Sequence, residues 1–127
     1  MSRKIEDLIP AAQEKYHAFE SAMHTAGLKF LVTCTLRTQE EQDLLYAQGR
    51  TSPGPIVTKV RHSEHSKGTA FDICMLDALD RPVWAQSAYV QAGKIGESVG
   101  LTWGGDWNHN GKSDDESFID MPHFQLT

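Results

Sequence analysis

An α+β fold, with a small and mostly antiparallel sheet and helices packed on it, is predicted by three features of this 127-residue chain. Apolar residues recur at three- and four-residue steps near the start, the signature of an amphipathic helix. Gly68 to Met75 alternates between two kinds of residue, the signature of a strand with two different faces. Helical and extended segments then interleave to the end, with no internal repeat, linker or low-complexity stretch, so residues 1–127 are read as a single domain.

Taken in order, Ile5, Leu8, Ile9, Ala12, Tyr16, Phe19 and Met23 place a helix over most of Lys4 to Thr25, with Pro10 marking a first turn or a kink. Gly27 stops it. Lys29 to Thr35 is apolar and β-branched, which predicts a buried strand. Thr38-Gln-Glu-Glu41 has the form of a capping box and opens a helix carrying Leu44, Leu45 and Tyr46 and ending at Gly49. Thr51 to Pro55 reads as a loop. In the alternating segment Ala70, Asp72 and Cys74 share one face, and Phe71, Ile73 and Met75 the other. A further helix is predicted over Trp84 to Ser98, although Gly93 and Gly96 each weaken it by about 1 kcal/mol unless they serve close packing. Leu101 to Trp103 and His123 to Leu126 read as short strands.

Composition narrows the function. A hydrophobic fraction of 39% and eleven aromatic side chains, three Trp, three Tyr and five Phe, predict a packed globule. A formal charge of −5 without a basic patch argues against nucleic acid. No apolar run approaches the roughly 20 residues that span a bilayer. Met1-Ser-Arg-Lys is basic, but Ile5 to Pro10 is no signal region, so a soluble, cytoplasmically made product is expected. A monomer is expected. Cys34 and Cys74 are too few for a disulfide framework and are read as buried core thiols. His17, His24 and His62 are read as ordinary surface or packed histidines.

The chemistry concentrates in Ser63-x-His65-x-x-Gly68-x-Ala70-x-Asp72 and in Asp120-Met-Pro-His123. Two imidazoles and one carboxylate can make three bonds to a zinc ion and leave a fourth position for water. A second carboxylate, three residues before the last histidine, can take a proton from that water. Arg37 either faces a substrate or forms a surface ion pair with Glu40 or Glu41. Ser63 either bonds a ligand or caps a turn.

These motifs resemble the zinc peptidases that include D-alanyl-D-alanine carboxypeptidases and peptidoglycan L-alanyl-D-glutamate endopeptidases. The resemblance extends to Arg37, Gln42, Tyr46, Gln48-Gly-Arg-Thr51 and Trp103-Gly-Gly-Asp-Trp107, and so covers roughly Leu31 to Leu126. It implies a hedgehog/D-Ala-D-Ala-peptidase-like fold, zinc held by His65, Asp72 and His123, Asp120 as general base, and Arg37 on the substrate carbonyl. Ser63 is a candidate for support of the ligands. Asp120-Met-Pro-His123-Phe and the Trp-Gly-Gly-Asp-Trp segment resemble single-domain phage endolysins that cut the L-alanyl-D-glutamate bond of the peptidoglycan stem peptide. Such a lysin would be made in the host cytoplasm and reach the cell wall after release. The alternatives are a D-alanyl-D-alanine carboxypeptidase and a non-catalytic, zinc-stabilised wall-binding module.

Asp106 to Ser117 departs from the shorter family pattern. Asp106, Asn108 and Asn110 stand at the first, third and fifth positions of a calcium-loop spacing, Gly111 at the sixth and Lys112, through its carbonyl, at the seventh. Asp114 and Glu116 supply further oxygens, but the usual glutamate at the twelfth position is replaced by Ser117. The competing reading is a solvated acidic turn. Regulatory calcium beside catalytic zinc is the resulting expectation.

Overall fold

In the computed structural model, which describes residues 1–58, 60–108 and 120–127, Pro10 opens the first helix instead of bending it. Helix α1 spans Pro10–Thr25 with the proline in its first turn, where no N–H is needed and the fixed φ is already helical. Ile5–Asp7 forms a separate 3-10 turn, so the helix expected from Lys4 begins later. Gly27 follows at φ 73°, a left-handed conformation that side chains resist. Strand β1 is Lys29–Cys34. Helix α2, Gln39–Ala47, carries the predicted capping box: Thr38 accepts from the Glu41 amide while the Glu41 carboxylate accepts from the Thr38 amide.

Next come β2 (Ala70–Leu76), β3 (Pro82–Val83), α3 (Gln86–Ser98), β4 (Leu101–Trp103) and β5 (His123–Leu126). Two residues offer no periodicity, which is why β3 is invisible in the sequence. The sheet runs β1-β2-β5-β4, with β3 also on β2. All of these pairings are antiparallel. Because β1 lies at an edge, Leu31 is 41% exposed and the strand is only partly covered, not buried as its composition suggests.

The two faces of the sheet have separate tasks. Phe71, Ile73 and Met75 of β2 and Phe124 of β5 are buried in the core with Phe19 and Met23 of α1. Phe71 and Phe124 stack with centroids 5.5 Å apart, and Phe19 tilts against both at 5.6 and 4.8 Å. Each buried aromatic ring of this kind contributes a few kcal/mol of apolar transfer. The glycines of α3 justify themselves here. A Cβ on Gly93 would lie 2.1 Å from the Trp103 ring, and one on Gly96 2.5 Å from Phe124, so only glycine lets the helix settle this close. The other face carries the polar row described next.

Candidate metal centre

Register sets up the site. Cys34 of β1 is opposite Asp72 of β2, and Asp72 is opposite His123 of β5, so three neighbouring strands present these side chains in one row. An irregularity between Val32 and Cys34 shifts the β1 register by one residue. Such a bulge re-aims a side chain at the end of a strand, and here it brings Cys34 opposite the carboxylate. His65 arrives from a 3-10 turn, Glu64–Lys67, whose end Gly68 closes at φ 71°. Ser63 caps that turn, its hydroxyl accepting from the His65 amide at 3.1 Å. Turn capping is thus the observed role of Ser63, which also lines the cleft beside His65.

Asp72 is the hub. Its Oδ1 lies 3.2 Å from His65 Nε2 and 3.2 Å from His123 Nδ1. The outer nitrogens are held elsewhere: His65 Nδ1 is 2.8 Å from the Thr35 carbonyl, and His123 Nε2 is 2.8 Å from Gln125 Oε1. A proton on each outer nitrogen would leave the two inner nitrogens free to bind a cation beside Asp72; when they carry protons themselves, they donate to its carboxylate. His65 Nε2 is buried without an aligned hydrogen-bond partner. A buried nitrogen in that state costs free energy unless something binds it, and a metal ion would. Ligand atoms of Asp72, Asp120 and His123 lie within 4.8 Å of one another, as do those of Cys34, His65 and Asp72. Two imidazoles flanked by carboxylates suit zinc. Cys34 is buried as expected, but it borders this cluster instead of filling core.

The electrostatics follow from the crowding. Burial alone would lower the His65 pKa, but the Asp72 carboxylate 3.2 Å away, with Cys34 and the Thr35 carbonyl beside it, outweighs that and raises it to about 10. Burial pushes the Asp72 carboxyl up, but its bonds to His123 and His65 overcome that and hold it well below the usual carboxylate range. The Asp120 carboxyl is raised, first by burial and then by the Asp72 charge. That is the direction that makes a carboxylate a better proton acceptor near neutral pH.

Asp120 is positioned through backbone. Its amide donates to the Gly104 carbonyl at 2.8 Å, and the Gly104 amide donates to the His123 carbonyl at 2.8 Å. A Cβ on Gly104 would fall 2.1 Å from the Asp120 carbonyl oxygen, which explains the first glycine of Trp103-Gly-Gly. Arg37 donates to Gln42 Oε1 at 2.8 Å and lines the cleft. It makes no ion pair with Glu40 or Glu41, so the surface-pair alternative is corrected. The cleft encloses about 680 Å³ and is lined by Arg37, Asp120, His65 and His123 and by the apolar Ile56, Val57 and Val60.

Thr35 carries no obvious sequence signal, whereas Gln42 and Trp107 fall within the motifs quoted above. Thr35 acts through its carbonyl, and fully buried Gln42 acts by bracing Arg37. Trp107 packs 5.6 Å from His123, centroid to centroid. Gln125 was detectable, since it shares the His123 face two residues on. In the proposed calcium segment, Asp106 is fully buried and hydrogen-bonds Glu97 of α3, while Asn108 is exposed. Asn110, Lys112, Asp114 and Glu116 lie outside the described residues.

Comparison with known proteins bears on the family and the fold. The family described as D-alanyl-D-alanine carboxypeptidase matches residues 57–126. The peptidoglycan L-alanyl-D-glutamate endopeptidase CwlK of Bacillus subtilis strain 168 is 30% identical over 131 residues, covering 94% of this chain and 74% of the relative. Among solved structures, the L-Ala D-Glu endopeptidase ChiX of Serratia marcescens superposes with a TM-score of 0.72 at 22% identity, over 97% of this chain and 83% of that one. The LD-carboxypeptidase LdcB superposes at 0.59 with 19% identity, over 94% and 65%. At these identities the two structures establish the shared α+β fold.

Proposed function

The chain belongs to the D-alanyl-D-alanine carboxypeptidase family of peptidases, and from that membership we propose a zinc-dependent peptidoglycan endopeptidase that hydrolyses the L-alanyl-D-glutamate bond of the stem peptide. The observation that carries the proposal is the convergence of His65, Asp72, His123 and Asp120 in one cleft. His65 Nε2, His123 Nδ1 and an Asp72 oxygen would hold the metal. Zinc bound there would supply Lewis-acid polarisation of the scissile carbonyl and a lowered pKa for the attacking water.

The chain's own residues do the rest. Asp120 takes a proton from water as the new C–O bond forms, and returns it to the amine nitrogen as the C–N bond breaks. Arg37, braced by Gln42, points positive charge at the carbonyl oxygen where negative charge develops. A planar guanidinium fixed by a second residue is oriented before substrate arrives, which reduces the ordering left for the reaction itself. Thr35 and Gln125 hold the imidazole tautomers. Ile56, Val57 and Val60 give the substrate an apolar part of the cleft lining.

The choice of bond rests on the 30% identity to an L-alanyl-D-glutamate endopeptidase. A non-catalytic wall-binding module would need neither Asp120 nor Arg37 beside the metal ligands. In keeping with this activity, the proposed setting is a phage endolysin acting on the cell wall after release from the host cytoplasm. The test is digestion of purified stem peptide followed by identification of the products. New D-glutamyl amino termini support the endopeptidase; free D-alanine without them supports the carboxypeptidase.

A further inference from the structure

Outside the catalytic cleft, one group of side chains is left unused. Residues 48–58 and 60–62 lead from α2 back to the histidine turn and are called the strap. Its two ends bring Arg50 and Arg61 together over one ring. Arg50 Cζ lies 3.9 Å, and Arg61 Cζ 5.1 Å, from the centroid of Tyr46 on α2. Arg50 is anchored there, donating to the carbonyls of Tyr46 at 2.6 Å and Thr58 at 3.2 Å. The Arg61 carbonyl accepts from Gln39 at 2.9 Å, which fixes its backbone and leaves its guanidinium to the ring.

No carboxylate among the described residues lies within ion-pair distance of either guanidinium. The nearby carboxylate of Asp43 is engaged by Gln39 at 2.8 Å. Two cations are therefore held by an aromatic face in a chain whose formal charge is −5, a concentration of positive charge against the overall trend. They line a second pocket of about 590 Å³ together with Tyr46, His62 and one carboxylate, Asp43, so two positive charges there stand against one negative charge. His62 lines the catalytic cleft as well, so the two cavities share a wall.

We propose that this second pocket is an anion subsite that binds a carboxylate of the peptide substrate, with Arg61 as the contacting group and Arg50 and Tyr46 as its platform. The inference rests on the peptidase reading for its choice of substrate. A glutamyl residue acylated on its amine has two carboxyl groups, and extension of the chain consumes only one. Every such stem therefore carries a free carboxylate close to the scissile amide. A guanidinium presents paired donors that match a carboxylate, and such charge-assisted pairs are stronger than neutral ones. Two positively charged groups on one ring also raise the local concentration of an anionic substrate before it reaches the cleft.

The test compares two stem peptides, one with free carboxylates and one with these converted to carboxamides. Binding is measured calorimetrically to the zinc-loaded Asp120→Asn protein, which suppresses turnover, with and without Arg61→Gln. The acid form should bind about 10-fold more tightly, a preference of the size one charge-assisted contact provides. Arg61→Gln should remove that preference, and Arg61→Lys should keep part of it. Equal binding of the two peptides, or a preference that survives Arg61→Gln, overturns the subsite. If the preference is present but the unsubstituted protein hydrolyses neither peptide, the subsite stands and the peptidase reading falls.

Discussion

Asp72 and His123 stand on paired strands, whereas Ile56, Val57 and Val60, which line the same cleft, stand on a strap outside the helices and strands. The strand side has its positions set by register, and its backbone hydrogen bonds run through β1, β2, β5 and β4. The strap is shaped by a few turns and side-chain anchors, such as Gln48 Nε2 donating to the Pro55 carbonyl at 2.9 Å. Its apolar residues are exposed, Ile56 at 57% and Val57 at 53%. Chemistry needs groups fixed to a fraction of an ångström, and a sheet supplies that. Recognition tolerates adjustment, and loops provide it. Changes on the sheet side should therefore abolish function, while changes in the strap should only retune it.

The largest effect is expected at the hub. His123→Ala should lose both zinc and hydrolysis, since a site reduced to two protein ligands holds zinc weakly. Metal analysis reads the first loss and peptide cleavage the second; full zinc occupancy in the variant would break the comparison. Asp120→Asn comes next. It should keep zinc and fold and lose about 10²–10⁴-fold in turnover, the usual contribution of a general base. Steady-state kinetics on the zinc-loaded variant checks this, and near-normal turnover would remove Asp120 from the mechanism.

A strap change should be milder and of a different kind. Gly49 has φ 81°, and a Cβ there would lie 2.7 Å from Ile56 Cγ1 and 2.9 Å from Ile56 N. Gly49→Ala must displace Ile56 and should raise KM by several-fold to about 10-fold, of the order expected when one wall contact is lost, with zinc content unchanged. Gly27→Ala is the control, because φ is 73° there but nothing lies within 4 Å. It should lower thermal stability and leave KM alone. A similar KM change in both variants would show that strain, not the position of Ile56, is being measured.

The smallest effect lies behind the site. Burial, a hydrogen bond to Asp106 and the Asp106 charge raise the Glu97 carboxyl from 4.5 to about 7. Between those values the folded chain keeps a proton that the unfolded chain has released. The stability contributed by this group is thus complete below pH 4.5 and is lost as pH rises through 7. Glu97→Gln, which stays neutral and can still donate to Asp106, should gain on the parent by about 2–4 °C in Tm between pH 5 and pH 8. A Tm difference that does not change with pH would contradict the pairing.

Legibility in the sequence divides along the same line. The helices, the capping box, β2 and the two short strands were readable because each leaves a local pattern. His65, Asp72 and His123 were legible as candidates because two separate motifs, Ser63-x-His65-x-x-Gly68-x-Ala70-x-Asp72 and Asp120-Met-Pro-His123, together resemble a peptidase family. The Cys34 placement was not, because it depends on a register shift in β1 that no local periodicity records. Thr35 was hidden because its contribution is a backbone carbonyl, which every residue has. The pairing of Arg50 with Arg61 was hidden because eleven positions separate them and only the strap closes the gap. Gly93, Gly96 and Gly104 were visible as glycines, but the rings and carbonyl that require them come from other elements.

The most direct test of the whole account is a zinc titration of the metal-stripped protein, followed simultaneously by bound metal and by cleavage of a stem peptide containing the L-alanyl-D-glutamate bond. Activity should rise from near zero in proportion to bound zinc and saturate at one ion per chain, each product carrying a new D-glutamyl amino terminus. Full activity in the stripped protein, or one tightly bound zinc with no cleavage, would contradict it.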